Sequence, residues 1–262
     1  MHREPFDRAT VPWSNSPTMR ARAPVRPRSN TATLPPNTRI YCVGDIHGRA
    51  DLLKETIARI EDDRRRRPVP YATEVYLGDY VDRGPDSRSV IELLAVRLVQ
   101  NGAICLRGNH EALLEAFLGG NGGIDAWLQL GAMPTLASYG VSPCSRANTV
   151  TELRRSFADV FPRAHWLFLQ CLRNSFCCGD FLFVHAGIRP AIPIDSQDPH
   201  DLLWIRDEFL RSTRNHGKFI VHGHTPVPHP DIRVNRMNID TGAWRTGTLT
   251  CVAIEGTEIL IL

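Results

Sequence analysis

Three apolar runs in the first half of the chain each end in a polar turn followed by a helical pattern. This repetition limits the fold more than any other feature. Arg39-Ile40-Tyr41-Cys42-Val43 leads into Gly44-Asp45-Ile46-His47-Gly48. Glu74-Val75-Tyr76-Leu77 leads into Gly78-Asp79-Tyr80-Val81-Asp82-Arg83-Gly84, and Ala103-Ile104-Cys105-Leu106 into Arg107-Gly108-Asn109-His110-Glu111. The first two helices carry Leu52, Leu53, Ile57 and Ile60, then Val90, Ile91, Leu94 and Leu98, at helical spacing. A third begins at about Glu111. Strand, turn and helix repeated in this order need crossover connections and therefore parallel strands. Their carboxyl ends, and all three polar turns, then fall on one edge of the sheet.

The remainder of the chain adds an insertion and a second set of strands. Residues 119 to about 150 are Gly-rich and irregular, and helical patterns resume at Leu153–Phe157 and Trp166–Leu172. Residues 119–172 therefore read as a helical and loop insertion near the pocket mouth. Ser175–Cys178 and Phe181–Val184 flank the turn formers Gly179-Asp180, a hairpin signal. A helix is expected from about Asp201, then strands at Lys218–Val221, Arg236–Asp240, Leu249–Ile254 and Glu258–Leu262.

The chain's 262 residues can bury one sizeable core. The net charge of +3 is too small to imply nucleic-acid binding. It is concentrated in residues 1–38, where six arginines face only Glu4 and Asp7 among seven prolines. Such a segment cannot bury enough apolar surface to offset its ordering, so it reads as a disordered tail with the folded domain at 39–262. Arg64–Arg67 ends a helix and complements its dipole. Seven cysteines without a C-x-x-C pair suit reduced, buried thiols, and neither a secretory signal nor a membrane span is expected. A cytoplasmic protein is expected.

Asp79 and Asp82 cannot share a shielded loop without compensating cations or protons, and Arg83 beside them suits an anionic substrate. Other strand ends supply partners. Asp45 and His47, then Arg107, Asn109 and His110, then His185 and His224, all stand where an apolar run gives way to a small-residue turn. Carboxylate, imidazole and amide together form the ligand set of a mid-series divalent metal, not of calcium or of a structural zinc.

The motifs G-D-I-H-G, G-D-Y-V-D-R-G, R-G-N-H-E, V-H-A-G and H-G-H-T-P occur in this order. They resemble the phosphoprotein phosphatase family of dinuclear metallophosphoesterases, nearest to its bacterial and bacteriophage lambda members. The resemblance implies a four-layer α/β/β/α sandwich with mixed sheets and the metal site at strand carboxyl ends. It implies that Asp45, His47 and Asp79 hold one ion, and that Asp79, Asn109, His185 and His224 hold the other. Manganese is the expected metal, with iron or zinc as alternatives. A hydroxide shared by the ions would attack phosphorus in line. His110 resembles the family's general acid, with Asp82 orienting it. Arg83, Arg107 and Arg206 resemble phosphate-holding arginines, Arg189 being a competitor for the third position. His222 reads as a strand-end residue.

Two activities share this core. Asp82 and Glu111 stand where dinucleotide hydrolases of the family often differ, which points to a metal-dependent serine/threonine protein phosphatase acting on phosphoproteins or phosphopeptides. The alternative is a symmetrical dinucleoside polyphosphate hydrolase. Neither a membrane nor a nucleic acid is an expected partner.

Overall fold

In the computed structural model, which describes residues 32–122, 124–142 and 149–262, the three strand–turn–helix units lie where the repetition places them. They are β1 (Thr38–Val43) with α1 (Ala50–Arg66), β2 (Tyr71–Tyr76) with α2 (Ser87–Asn101), and β3 (Ile104–Cys105) with α3 (Asn109–Leu118). Strand β2 pairs in parallel with both β1 and β3. Helix α1 buries Leu53, Thr56 and Ile60, and its basic last turn is tied to Asp62, Asp63 and Glu74. Helix α2 starts where the Asp86 carboxylate accepts from Ser89 N–H and stops at Gly102 in the left-handed region, φ 64°.

The insertion consists of four short helices, α4 (Ile124–Gln129), α5 (Met133–Ser138), α6 (Val150–Val160) and α7 (Arg163–Gln170). The chain continues through β4 (Ser175–Cys178), β5 (Phe181–Val184), a 3-10 turn at Ile194–Ser196, α8 (Pro199–Trp204), α9 (Asp207–Leu210) and β6 (Phe219–His222). It ends with β7 (Asp231–Ile232), β8 (Arg236–Asn238), α10 (Ala243–Thr246), β9 (Cys251–Glu255) and β10 (Glu258–Ile261).

One sheet has the order β10-β9-β1-β2-β3 and the other β4-β5-β6-β8-β7. Both are mixed. Alternation along the strands assigns the layers. Ile40 and Cys42 of β1 face Phe181, Phe183, Phe219, Val221 and Met237 of the second sheet. Tyr41 and Val43 point the other way, onto the core beneath α1, α2 and the insertion. Leu182, Val184 and Ile220 pack under α8 and α9 with Leu202, Ile205 and Phe209. The result is a four-layer α/β/β/α sandwich, and strands covered on both faces explain the unbroken apolar runs of β5 and β6.

The tail expected at 1–38 lies mostly outside the described residues. Its last part is folded. Leu34 is buried in the core between the sheets, its N–H donating to Gly256 O, while Thr33 and Asp180 exchange two hydrogen bonds. A Pro-rich composition hid a strap that needs only one buried leucine. The six described cysteines are free, but only Cys42, Cys105 and Cys251 are buried as expected, Cys171 and Cys177 being exposed; no helix of the described residues is long and apolar enough to cross a membrane.

Candidate active site

Every polar turn named above opens at the same edge of the two sheets, and His47, Asn109, His110, His185 and His224 meet around Asp79. Much of this array stands on strained backbone. Among the described residues, His47 (φ 46°), Asp79 (51°), Asp82 (72°), Arg83 (66°) and His224 (67°) occupy the left-handed region that side chains with a Cβ avoid. Glu111 supports this conformation from below. Its carboxylate accepts the N–H groups of Asp79, Tyr80, Val81 and Gly108 at 2.7–3.2 Å. Gly108 is required by closeness, since a Cβ there would stand 2.2 Å from Asp79 Oδ1.

Two groups of donors share Asp79. In one, His47 Nε2 lies 3.6 Å and His110 Nε2 3.8 Å from Asp79 Oδ2. In the other, His185 Nε2 lies 3.3 Å from Asp79 Oδ1, with His224 alongside. Asn109 Oδ1 is 3.0 Å from both His185 Nε2 and His224 Nδ1. Asp45 joins neither group directly. It accepts His224 N–H at 3.0 and 3.3 Å and lies beneath, close against Gly223.

These donors fit a metal pair. His47 Nδ1 donates to Val81 O at 2.8 Å and His185 Nδ1 to Leu77 O at 2.9 Å, so each Nε2 is left with a lone pair. The His185 lone pair faces the oxygens of Asn109 and Asp79, an opposition of acceptors that a cation resolves. His224 Nε2 is buried with no partner. Burial and the neighbouring carboxylates of Asp240 and Asp79 hold the Asp45 carboxyl well above its usual range. Burial would do the same to Asp79, but the imidazoles of His185, His110, His47 and His224 outweigh it and hold the carboxyl below that range. Burial and its histidine neighbour His185 push His224 down to about 2, which keeps it neutral as a ligand must be. So many buried carboxylates need compensating positive charge.

His110 differs from the other imidazoles. Burial lowers its basicity, but Asp79 and a 2.6 Å bond from Nδ1 to Asp82 Oδ2 prevail and raise its pKa. Asp82 is itself fully buried and held by the insertion. Trp127 Nε1 donates to Oδ2 at 2.9 Å and Thr135 Oγ1 to Oδ1 at 2.6 Å. Arg83 bridges the group, with Nη1 2.8 Å from His47 Nε2 and Nη2 3.0 Å from His110 Nε2. Its N–H is fixed by Gly131 O.

The other arginines are placed differently. Arg206 is exposed between α8 and α9, not inside a helix, with Nη1 3.5 Å from Thr225 Oγ1, and its charge is felt by His185 and His224. Arg107 turns toward the insertion and donates to Glu115 Oε1 and Leu169 O. Arg189 is held by Asp201 and Glu208. His222 is buried on β6 beneath Phe209 and pushed down to about 3 by burial and the Arg236 charge. Sequence reasoning missed Trp127 and Thr135 as partners of Asp82. It also missed Asp240, which is 1% exposed, is driven up to about 6 by burial and the nearby Asp79 carboxylate, and accepts Gly242 N–H at 2.8 Å. Asp240 stood in the sequence as the last residue of a strand, and its burial beside Asp45 arises only when the two sheets come together.

Residues 38–245 match the model of the calcineurin-like phosphoesterase family. The chain belongs to that family. The family is dinuclear and metal-dependent, in accord with the donors around Asp79, and this phosphoesterase is a hydrolase. Among its relatives is bis(5'-nucleosyl)-tetraphosphatase PrpE (asymmetrical) of Oceanobacillus iheyensis, 28% identical over 240 residues, covering 85% of this chain and 91% of the relative. The protein of the same name from Anoxybacillus flavithermus is 29% identical over 230 residues, covering 80% and 88%. A crystal structure of a protein provisionally named diadenosine tetraphosphatase shares the fold with TM-score 0.61 at 21% identity, over 88% of this chain and 97% of the other.

The names of the two bis(5'-nucleosyl)-tetraphosphatase relatives overturn the expectation of a serine/threonine protein phosphatase. The two residues that suggested it are both fully buried and bonded to the protein itself. Glu111 spends its carboxylate on four backbone N–H groups and shapes loops. Asp82 is fully buried and touches His110, Trp127 and Thr135.

Proposed function

We propose that this phosphoesterase hydrolyses dinucleoside polyphosphates, adding water across one phosphoanhydride bond, off centre, to release a nucleoside triphosphate and a nucleoside monophosphate. The observation that carries the reading is the run of relatives named asymmetrical bis(5'-nucleosyl)-tetraphosphatase, matched over four-fifths or more of this chain. Asp45, His47, Asp79, Asn109, His185 and His224 hold two divalent ions in this reading, manganese being the metal to test first. When bound, such ions supply an activated water and neutralise charge on the phosphoryl oxygens.

The chain's own residues do the rest. Arg83 presents both Nη atoms beside His47 and His110, where its planar fork takes phosphate oxygens, and Arg206 adds charge at the mouth. Arg107 lies farther out against Glu115, so its role is the smallest of the three. His110 donates through Nδ1 to Asp82, which leaves Nε2 to carry a proton to the departing oxygen. An anhydride releases a phosphate oxygen that needs this proton less than an alkoxide does.

The test is product analysis. With manganese, diadenosine tetraphosphate should yield ATP and AMP in equal amounts, and EDTA should stop the reaction. ADP as sole product would overturn the off-centre cut, and an intact dinucleotide would overturn the reading.

A further inference from the structure

Two partly exposed tryptophans stand at opposite ends of the Asp79-centred array, and the chemistry described so far uses neither. Trp204, the last residue of α8, sets its ring edge-on to His224 at 6.3 Å and 83°, and lies near-parallel to the exposed His200 at 6.2 Å and 22°. It flanks the donor group of Asp79, His185 and His224. Trp244 lies by the other group. Its ring sits under the Arg83 guanidinium, 5.7 Å from centroid to Cζ, and Arg83 reaches His47 and His110. Trp244 is 38% exposed on a rigid support. Gly242 N–H is held by Asp240, and Arg49 donates to Ala243 O at 3.0 Å. An indole that only filled core would be buried as Trp127 is, at 0%.

We infer that Trp204 and Trp244 are the nucleobase platforms of the site, one at each end of a polyphosphate chain lying across Asp79. The inference rests on the dinucleotide reading and names the parts of the site that recognise the two nucleosides. Each indole is partly exposed and has a neighbouring cation or imidazole, Arg83 for Trp244 and His200 for Trp204. Aromatic stacking holds any purine or pyrimidine, because every base has a π face. Phosphates in between meet Arg83 and Arg206. Two flat platforms with a charged interval suit two bases joined by phosphates.

The test compares ATP with inorganic tripolyphosphate as inhibitors of p-nitrophenyl phosphate hydrolysis, with free manganese held in excess. The two share a triphosphate and differ in the nucleoside. ATP should inhibit at least about fivefold more tightly, from stacking of one base. Trp204→Leu and Trp244→Leu should each shrink that preference and the double variant abolish it, the loss falling on ATP inhibition and sparing tripolyphosphate inhibition to within about twofold. Trp204→Phe and Trp244→Phe should restore most of it. Trp166→Leu, at an exposed indole with no contact to the site, should change nothing. An unchanged preference in the double variant would overturn the platforms. Equal losses toward ATP and tripolyphosphate would reduce both indoles to supports of His224 and Arg83. Wild-type protein that leaves diadenosine tetraphosphate intact yet still prefers ATP would sink the proposed reaction and keep the platforms, so the two failures are distinguishable.

Discussion

The floor of the site and its rim are built from different materials. Asp45, His47, Asp79, Asn109, His110, His185 and His224 form the floor, and none is more than 4% exposed. Each is fixed by a backbone group or a second side chain, and several stand on left-handed backbone. At the rim, Arg206 is exposed, and Trp204, Trp244 and Arg83 are open to solvent in part. In the proposed reaction the floor meets phosphorus, its oxygens and water, which every phosphate ester or anhydride shares, and the rim meets whatever is attached to the phosphate. Substrate preference read from buried residues is therefore unsafe, and the misassignment from Asp82 and Glu111, both buried beside the floor, shows how it fails.

The largest effect should come from the centre of the floor. Asp79→Asn removes the one charge shared by both donor groups, and should lose bound metal and more than 100-fold of the activity on every substrate, a bigger loss than outer partners cause. Normal metal content by elemental analysis would break the account of the floor. His110→Asn should retain metal and lose about 10²–10⁴-fold on phenyl phosphate, whose leaving oxygen needs a proton. Its loss on p-nitrophenyl phosphate and diadenosine tetraphosphate should be smaller. Equal losses on all three would mean that His110 is not an acid.

One layer further out, Trp127→Phe takes one hydrogen bond from the Asp82 carboxylate, and Thr135→Val takes one from the carboxylate and one from the Asp82 N–H. Each should lower kcat roughly tenfold, with KM little changed, at a stability cost of about 1–2 kcal/mol. An unchanged kcat in both would show that the insertion does not position Asp82. The smallest effect lies away from the site. His165 is buried against Tyr139 and Phe161, its Nδ1 2.8 Å from Tyr139 Oη, and burial lowers its pKa below the ordinary 6.5. As pH falls below 6.5 the unfolded chain takes up a proton that the folded chain refuses. Stability is then full above 6.5 and declines on acidification. His165→Asn should flatten that part of the pH–stability curve in urea titrations, and an equally steep curve would refute the cause given.

The features legible in the sequence were those set by local pattern. Runs such as Phe181–Val184 announce buried strands, and the small-residue turns after them announce where functional groups emerge. What stayed hidden depends on contacts between segments far apart in the chain. Asp240 becomes a buried neighbour of Asp45 only when β8 and β1 lie in facing sheets. Trp127 and Thr135 reach Asp82 because the insertion folds back over the second turn. Strand β7 has two residues, too few for any period to register. Leu34 is a single apolar residue among prolines, and its burial follows from the groove between the sheets, not from its own surroundings in the chain.

The claim that the rim selects a nucleotide substrate while the floor supplies general phosphoryl chemistry is tested most directly by one rate comparison. Wild-type protein with manganese is given diadenosine tetraphosphate or a phosphoserine peptide, and kcat/KM is measured for each. The account predicts the dinucleotide to be preferred by at least about tenfold, two stacked bases contributing what the peptide cannot. Efficient turnover of the peptide with the dinucleotide left intact would contradict it.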